Sequence, residues 1–167
     1  MAFIEEKEFD IRYSKLQDEA KLSQWLEDPA TLRWFPQSSM EELAPMVRNW
    51  VGFSRFRASL TATYKEEVIG IATLFLMPYR KVAHMAMPYF VVDPKFRRKQ
   101  VGHSLIKNIK HLAKTRFNLE SLFLDLYEGC PAIEFLLKQG FTIVAEQDNF
   151  VHLDGKEYKR AIMEVRL

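Results

Sequence analysis

The sequence predicts a single mixed α/β domain, and three features of the 167-residue chain lead to this prediction. Its hydrophobic fraction of 48% and charged fraction of 28% are those of an ordinary globular protein. No repeat, low-complexity tract or linker divides residues 1–167, and one domain is the default at this length. Strand-like and helix-like segments follow the order β-α-α-β-β-β-α-β-α-β-β, which favours a sheet flanked by helices.

Charge and cysteine content exclude several classes of protein. The net charge of +2 creates no basic field over the whole molecule, so any anion site must be local. A single cysteine, Cys130, forms neither an internal disulfide nor a cysteine-based zinc site. The chain therefore needs no oxidising compartment, and we expect no metal.

The start of the chain, MAFIEEKEFDIRYSK, carries acids where a signal peptide requires basic residues. The longest apolar stretches, 68–77 and 84–92, are far shorter than the ~20 residues of a membrane span. We expect a soluble cytoplasmic protein without a membrane partner.

The first part of the chain is expected to contain one strand and two helices. Residues 9–13 alternate apolar and polar side chains, as a half-buried strand does. Ser14 is the expected N-cap of a first helix, which ends at Asp28-Pro29. The second helix covers 39–53, where Ser39 and Glu42 fit a capping box.

The rest of the chain is dominated by strands. Strands are expected at 60–64, 68–77, 84–92, 121–127, 141–153 and 158–167, with helices at 101–116 and 131–139. Pro88 lies inside one of these strands, where it removes a ladder hydrogen bond and so marks an edge or a bulge. Asp154-Gly155 is the expected turn of the last hairpin.

The most informative segment is 91–105, where a strand ends, a basic loop follows and a helix begins with Gly102 in its first turn. A helix start leaves about four backbone N–H groups without partners and carries a partial positive charge. Four cationic side chains precede it: Lys95, Arg97, Arg98 and Lys99. These features favour a diphosphate cradle. A solvated basic loop that caps the helix is the alternative.

Two motifs in this order resemble the GCN5-related N-acetyltransferase (GNAT) superfamily. Residues 92–96 match its Val-x-Pro-x-Tyr/Phe lead-in, and 97–102 match the acyl-CoA signature Arg/Gln-x-x-Gly-x-Gly/Ala, with Gln100 in place of the first glycine. Residues 132–141 resemble the family segment Ala-Ile-x-Phe-Tyr-x-x-x-Gly-Phe. Two motifs in register are much more specific than either alone.

The resemblance implies a fold, a reaction and a cosubstrate. The fold would be a mixed, mostly antiparallel sheet of about seven strands flanked by helices, with strand 84–92 bulged at Pro88 and splayed from 121–127. The reaction would be direct attack of a primary amine on the thioester of acetyl-CoA, without a metal. The acceptor would be a protein N-terminus, a lysine, a polyamine or a small amine. Many relatives dimerise, so a homodimer is a further expectation.

The resemblance also implies where acetyl-CoA binds. The backbone from Arg98 through His103, helped by Arg97, would clamp the pyrophosphate. A backbone N–H near 90–92 would polarise the thioester carbonyl. The expected cosubstrate-binding residues are Phe90, Val91, Val92, Arg97, Arg98, Lys99, Gln100, Val101, Gly102, His103 and Ser104.

The catalytic positions depart from the family pattern. Leu136 stands where many members have a tyrosine acid, and Gly129-Cys130 stands where an asparagine is common. Segment 84–92 contains no carboxylate to serve as the base. As substitutes we predict Tyr127 as the acid and His84 as the base. A packing tyrosine and a satisfied histidine are the alternatives.

Further polar candidates are Tyr89 and Asp125, and strand alternation places Asp125 on the side of Tyr127. Cys130 is not needed as a nucleophile and is expected to be buried. Segment 17–57 supplies aromatic residues such as Trp34, Phe35 and Trp50 to an acceptor groove or to the core.

Two other functions compete with catalysis. The missing tyrosine and glutamate favour a non-catalytic acyl-CoA-binding or sensing domain. Nucleic-acid binding through residues 95–99 is a third hypothesis. That patch is short and holds one aromatic residue, Phe96, so we expect no nucleic-acid partner.

Overall fold

The computed structural model describes residues 8–167 and contains one seven-stranded sheet there. Segment 1–7, at the start of the stretch interpreted above as unlike a signal peptide, lies outside the described residues. The strands are β1 (Asp10–Tyr13), β2 (Ser59–Tyr64), β3 (Glu67–Leu76), β4 (Met85–Val92), β5 (Ser121–Tyr127), β6 (Thr142–Leu153) and β7 (Lys156–Arg166). The α-helices are α1 (Glu19–Glu27), α2 (Pro29–Leu32), α3 (Met40–Gly52), α4 (Val101–Phe117) and α5 (Ala132–Lys138).

The strands lie in the order β1-β2-β3-β4-β5-β7-β6. Every neighbouring pair is antiparallel except β4 and β5, which are parallel because α4 connects them across the sheet. The predicted mixed, mostly antiparallel sheet is confirmed. No helix within residues 8–167 is long and apolar enough to cross a membrane.

Each face of the sheet buries a separate apolar core. On one face, α4 turns Leu105 and Ile109 inward against Leu74 and Leu122, and all four side chains are fully buried. This stripe follows the 3.6-residue period of the helix. On the other face, α1 and α3 pack against Ile71 and Val91 of the sheet through buried side chains that include Trp50. Helices on both faces leave the ends of the central strands as the accessible part of the sheet.

The predicted start of the first helix is wrong. The Ser14 hydroxyl lies 2.8 Å from the hydroxyls of Ser59 and Thr61, so it joins a buried polar network instead of capping a helix. A 3₁₀ turn at Leu16–Asp18 precedes α1, and the Asp18 carboxylate accepts the backbone N–H of Lys15 at 2.9 Å. The turn therefore begins at Leu16 without a cap from Ser14, and its last residue accepts the N–H of the residue before the turn.

The ends of two other helices differ from the prediction in one detail each. Pro29 begins the short α2 because proline suits the first position of a helix. Ser39 caps α3 by accepting the N–H of Glu42 at 3.3 Å, as predicted. The Glu42 carboxylate, however, accepts the N–H of Ser38 at 2.7 Å, so the capping box is shifted by one residue.

Asp18 is the most buried carboxylate of this network, with 2% of its surface exposed. Burial opposes its ionisation, but hydrogen bonds from the side chain of Arg12, the N–H of Lys15 and the hydroxyl of Thr61 outweigh burial. Together they lower the pKa of Asp18. Its stabilising contribution is therefore complete above the unfolded pKa of about 3.9 and is lost as the pH falls through the lower folded value.

We expect Asp18→Asn to lower the free energy of unfolding by about 2 kcal/mol at pH 7, because hydrogen bonds to a charged group are lost. The difference from wild type should shrink as the pH falls below about 4. Urea unfolding between pH 7 and pH 2.5 measures both effects, with the exposed Asp10→Asn as the control. A difference that stayed constant over this range would contradict the assignment.

Candidate functional site

A gap opens between β4 and β5 in the middle of the sheet. The two strands pair only at Met85–Ser121 and Ala86–Leu122. Beyond these pairs, β4 continues along β3 as far as Val92, while β5 continues along β7 as far as Tyr127. The expected splay is confirmed. The expected bulge at Pro88 is wrong, because the β3–β4 register runs through Leu74–Pro88 without a shift.

The hydrogen bonds of β3 show which backbone groups of β4 face the gap. The N–H of Leu74 bonds to Ala58 on the β2 side, so Leu74 and its partner Pro88 form a pair without mutual hydrogen bonds. Pro88 therefore points its backbone toward β5, and strand alternation gives Phe90 and Val92 the same direction. The backbone of Val91 points to β3 instead. The Phe90 N–H thus opens onto the gap.

The start of α4 lies just beyond the end of β4. Gln100, the N-cap, has a φ of 67° in the left-handed region, and its carbonyl accepts the first helical hydrogen bond from Ser104 at 3.0 Å. Among residues 8–167, no group accepts the N–H of Val101, Gly102 or His103. These donors and the helix dipole suit an anion.

The cationic side chains of the loop serve two different purposes. The guanidinium of Arg97 donates to the Val92 carbonyl and to the Thr31 hydroxyl, both at 3.0 Å, so it ties the loop to α2. Arg98 is exposed and has a left-handed φ of 59°. The Lys99 ammonium lies 5.4 Å from the ring centre of Phe96. Arg98 and Lys99 remain the closest cations to the helix start in sequence, whereas Arg97 is already engaged.

Side chains of the first turn of α4 point mainly inward. Val101 and Ser104 are buried, with 1% and 7% of their surfaces exposed. A Cβ on Gly102 would meet the Phe135 ring at 3.4 Å and Val92 at 3.8 Å. A Cβ at this position would therefore make ordinary van der Waals contact with α5 and β4. An anion would be held here by backbone rather than by these side chains.

Polar residues face the gap from the side covered by α1 and α3. Leu122 and Leu124 of β5 pack on the α4 side, so Asp125 and Tyr127 point to the opposite face, as alternation predicts. Burial, then the Asp125 charge, raises the pKa of Tyr89; the same causes in the same order raise the pKa of Tyr127 to about 12. The Arg160 guanidinium lies 3.3 Å from the Asp125 carboxylate. Tyr89, Asp125 and Tyr127 therefore form one group.

The structure does not bring His84 to this group. His84 precedes β4 at its paired end, where its carbonyl accepts the N–H of Glu120 at 2.8 Å. It lies six residues before Phe90, or about 20 Å along an extended strand. The geometry thus disfavours His84 as the base.

Leu136 and Cys130 lie inside the protein. Leu136, at the family's tyrosine position, is fully buried against the α4-side core. Cys130 is 7% exposed, as expected, and burial raises the pKa of its thiol. A buried thiol with a raised pKa is a poor nucleophile at neutral pH.

An apolar cleft of about 410 Å³ lies on the α3 side of β4, and Phe35 of segment 17–57 lines it, whereas Trp50 of that segment is fully buried in the core. The segment before α3, α3 itself, the end of β3 and β4 all contribute to it, including Met46 on α3 and Tyr89 on β4. Its walls come from separate parts of the chain, so no single local motif predicts its full lining. The described residues contain no cluster of three His, Cys, Asp or Glu side chains suited to a metal ion.

Comparisons with known proteins agree with this architecture. The sequence profile of the acetyltransferase (GNAT) family matches residues 19–141. The chain belongs to this family. No curated protein matches the sequence significantly.

Solved structures show the same fold at low sequence identity. An acetyltransferase of the GNAT family from Streptococcus pneumoniae is 18% identical, with a TM-score of 0.77 over 96% of this chain and 99% of that one. The ribosomal-protein-alanine N-acetyltransferase of Brucella melitensis is 21% identical, with a TM-score of 0.77 over 95% and 99%. Salmonella typhimurium yncA, solved with its cofactor acetyl-CoA, is 15% identical, with a TM-score of 0.76 over 95% and 93%.

The left-handed φ of Gln100 explains why the family signature has glycine there. A β-branched residue is strained in this conformation, whereas glycine adopts it freely. We expect the free energy of unfolding of Gln100→Gly to lie within about 0.5 kcal/mol of the wild-type value, because relief of strain offsets the greater freedom of the unfolded chain. Gln100→Val should be about 1–2 kcal/mol less stable than Gln100→Gly. Urea unfolding of the three proteins tests this, and equal stabilities would show that the turn is not strained.

Proposed function

We propose that this protein transfers an acetyl group from acetyl-CoA to a primary amine. The observation that supports it most strongly is the Phe90 N–H, which faces the gap between β4 and β5. When bound, acetyl-CoA supplies an acetyl thioester whose acyl carbon is the electrophile.

The start of α4 would hold the pyrophosphate. The N–H groups of Val101, Gly102 and His103 point out of the first turn, and Arg98 and Lys99 add positive charge beside them. Backbone donors need no rearrangement on binding, so they fix the position of the anion. The gap then leads from this point to the middle of the sheet.

The Phe90 N–H would donate a hydrogen bond to the thioester oxygen. Charge develops on this oxygen as the amine attacks, so a fixed donor lowers the barrier. Val91 is unsuited to this role, because its backbone is bonded to β3. Val92 adds a second N–H on the gap side, while its carbonyl is already occupied by Arg97.

Asp125 would bind the acceptor amine, and Tyr127 would donate a hydrogen bond to the departing sulfur. Asp125 attracts the ammonium form of the amine, which loses one proton to water before its nitrogen bonds to the acyl carbon and a second proton to water once that bond has formed. The carbon–sulfur bond then breaks and leaves a thiolate, for which the ordinary cysteine pKa of about 8.5 is the reference. Full proton transfer from Tyr127, with its pKa of about 12, is uphill by about 3.5 pKa units. Tyr127 therefore acts as a hydrogen-bond donor, and the thiolate collects its proton from solvent.

The direct test of transfer is release of free CoA thiol from acetyl-CoA with a panel of primary amines and peptides. We expect at least one amine to increase thiol release well above hydrolysis, with the N-acetylated product visible by mass spectrometry. A panel without any acetylated product would refute the proposal.

Removing the Tyr127 hydroxyl isolates its contribution. Tyr127→Phe should lower kcat about tenfold or more, because a hydrogen bond to a charged sulfur is lost. The KM for acetyl-CoA should stay within about twofold. Tyr13→Phe removes the same hydroxyl from β1, at the outer edge of the sheet, and is the matched control. Wild-type turnover in Tyr127→Phe would leave this residue a packing role only.

Neutralising the loop cations tests the pyrophosphate assignment. The double variant Arg98→Gln/Lys99→Gln should raise the Kd for CoA roughly 5- to 30-fold, since two charge contacts are lost. The effect should fade at 1 M salt, where charges are screened within about 3 Å. Lys107→Gln/Lys114→Gln changes the net charge equally on the exposed side of α4 and should leave the Kd unchanged. Calorimetry measures all three, and equal affinities would contradict the clamp.

A non-catalytic acyl-CoA-binding domain is the second candidate. Its support is Leu136, which fills the family's tyrosine position with a fully buried aliphatic side chain. Acetyl-CoA would raise the melting temperature of such a domain, but no amine would cause release of the free CoA thiol.

A further inference from the structure

The apolar cleft beside β4 has the composition of a ligand pocket. Its volume of about 410 Å³ lies in the range of small-molecule sites. No charged side chain lines it. Three methionines and four aromatic residues make most of its wall, among them Met46 and Phe53. Methionine side chains are flexible and adapt to apolar ligands of different shapes.

The cleft reaches β4 at the place where the sheet opens. Met87 and Tyr89 line it, and they flank Pro88, just beyond the last pair between β4 and β5 at Ala86. Tyr89 and Asp125 lie on neighbouring strands and point to the same face of the sheet, and the Asp125 charge contributes to the raised pKa of Tyr89. The cleft, the gap and the Asp125 carboxylate are therefore adjacent through a single side chain.

One polar atom of the cleft wall lacks a partner. The Gln37 Oε1 is buried and accepts no hydrogen bond within the described structure, although buried carbonyl oxygens are nearly always paired. Leaving such an acceptor unpaired is costly, so a ligand that brings an N–H to this position gains from it. The oxygen gives the apolar cleft one point of orientation.

We propose that this cleft binds the apolar body of the acceptor, so that the substrate is a primary amine attached to an aromatic or large aliphatic group. The amine lies toward Asp125 and Tyr89, and an acceptor with a second N–H, such as the first peptide amide, also bonds to Gln37 Oε1. This assignment rests on the proposed acetyl transfer. The apolar amine is either a free arylalkylamine or the apolar amino-terminal residue of a peptide. The experiment below distinguishes these two sources.

The experiment compares kcat/KM for ethylamine, phenethylamine, spermidine, and two short peptides that begin with Phe or with Ser. Burial of a phenyl group should favour phenethylamine over ethylamine about 10- to 100-fold. If the acceptor is an amino-terminal residue, kcat/KM for the Phe peptide should exceed that for the Ser peptide by a similar factor. If the acceptor is a free amine, the two peptides should have equal kcat/KM values and only phenethylamine should be favoured. Spermidine should be a poor substrate.

Met46→Gln places a polar group of similar size in the cleft wall and should reduce the preference for phenethylamine at least threefold. Met40→Gln makes the same change at the exposed start of α3, where Met40 is 55% exposed, and should leave the preference intact. A binding measurement without acetyl-CoA accompanies the kinetics. N-acetylphenethylamine should raise the melting temperature of the wild type, and raise that of Met46→Gln less.

The outcomes separate this inference from the proposed function. If ethylamine and spermidine are acetylated as fast as phenethylamine, and the Ser peptide as fast as the Phe peptide, the cleft assignment is overturned while acetyl transfer stands. If no amine is acetylated but N-acetylphenethylamine binds in a Met46-dependent manner, the cleft assignment stands and transfer fails. If neither acetylation nor binding is detected, both fail.

Discussion

Parallel pairing between β4 and β5 stops after two residue pairs, and the architecture of the site depends on that stop. Pro88 explains it, because its nitrogen faces β5 at the position where the ladder would next need a donor. Strand β5 then continues along β7 and β4 continues along β3, so neither strand is left without a partner. The sheet can therefore open at its centre without losing its outer pairings.

The opening is held in place from both faces by residues far apart in the chain. On one face, Gly70 of β3 lets α4 approach the sheet closely, because a Cβ there would meet Leu105 at 2.9 Å. On the other, the Trp25 indole donates to the Asp93 carboxylate at 3.0 Å, while that carboxylate also accepts the N–H of Lys95 at 2.8 Å. The loop between β4 and α4 is thus fixed at its first residue. A rigid loop is what a cradle made of backbone donors requires.

The order and type of the main elements could be predicted from the sequence because periodicity and turn residues are local signals. Pro88 shows the limit of such signals. The sequence marked it as irregular, but whether it meant an edge, a bulge or the end of one pairing depended on the neighbouring strand. Ser14 looked like a helix cap and instead joined hydroxyls more than 40 residues away.

The candidate site was harder to predict for the same reason. The helix start and its cations follow from a single segment, so they were found. The sequence assigned the side chain of Arg97 to the anion. Its hydrogen-bond partner Thr31 lies 66 residues away, so the loop sequence alone could not reveal this contact. His84 was chosen by residue type, whereas its distance from the gap depends on which end of β4 pairs with β5. The sequence offered Phe35 to an acceptor groove, but the walls of the cleft on β3 and β4 come from distant segments and had no local signal.

The bond between Arg97 and Thr31 joins the two halves of the molecule that would hold the two substrates. Thr31 belongs to α2 and also donates to the Asp28 carboxylate at 2.9 Å, so α2 is braced at both ends of this contact. The chain leaves α2 only three residues before Phe35, which lines the cleft. The loop after β4 is therefore connected to the cleft wall through one side-chain contact and three residues of chain. The two substrates of the proposed reaction would bind to parts of the chain that this one side-chain contact holds together.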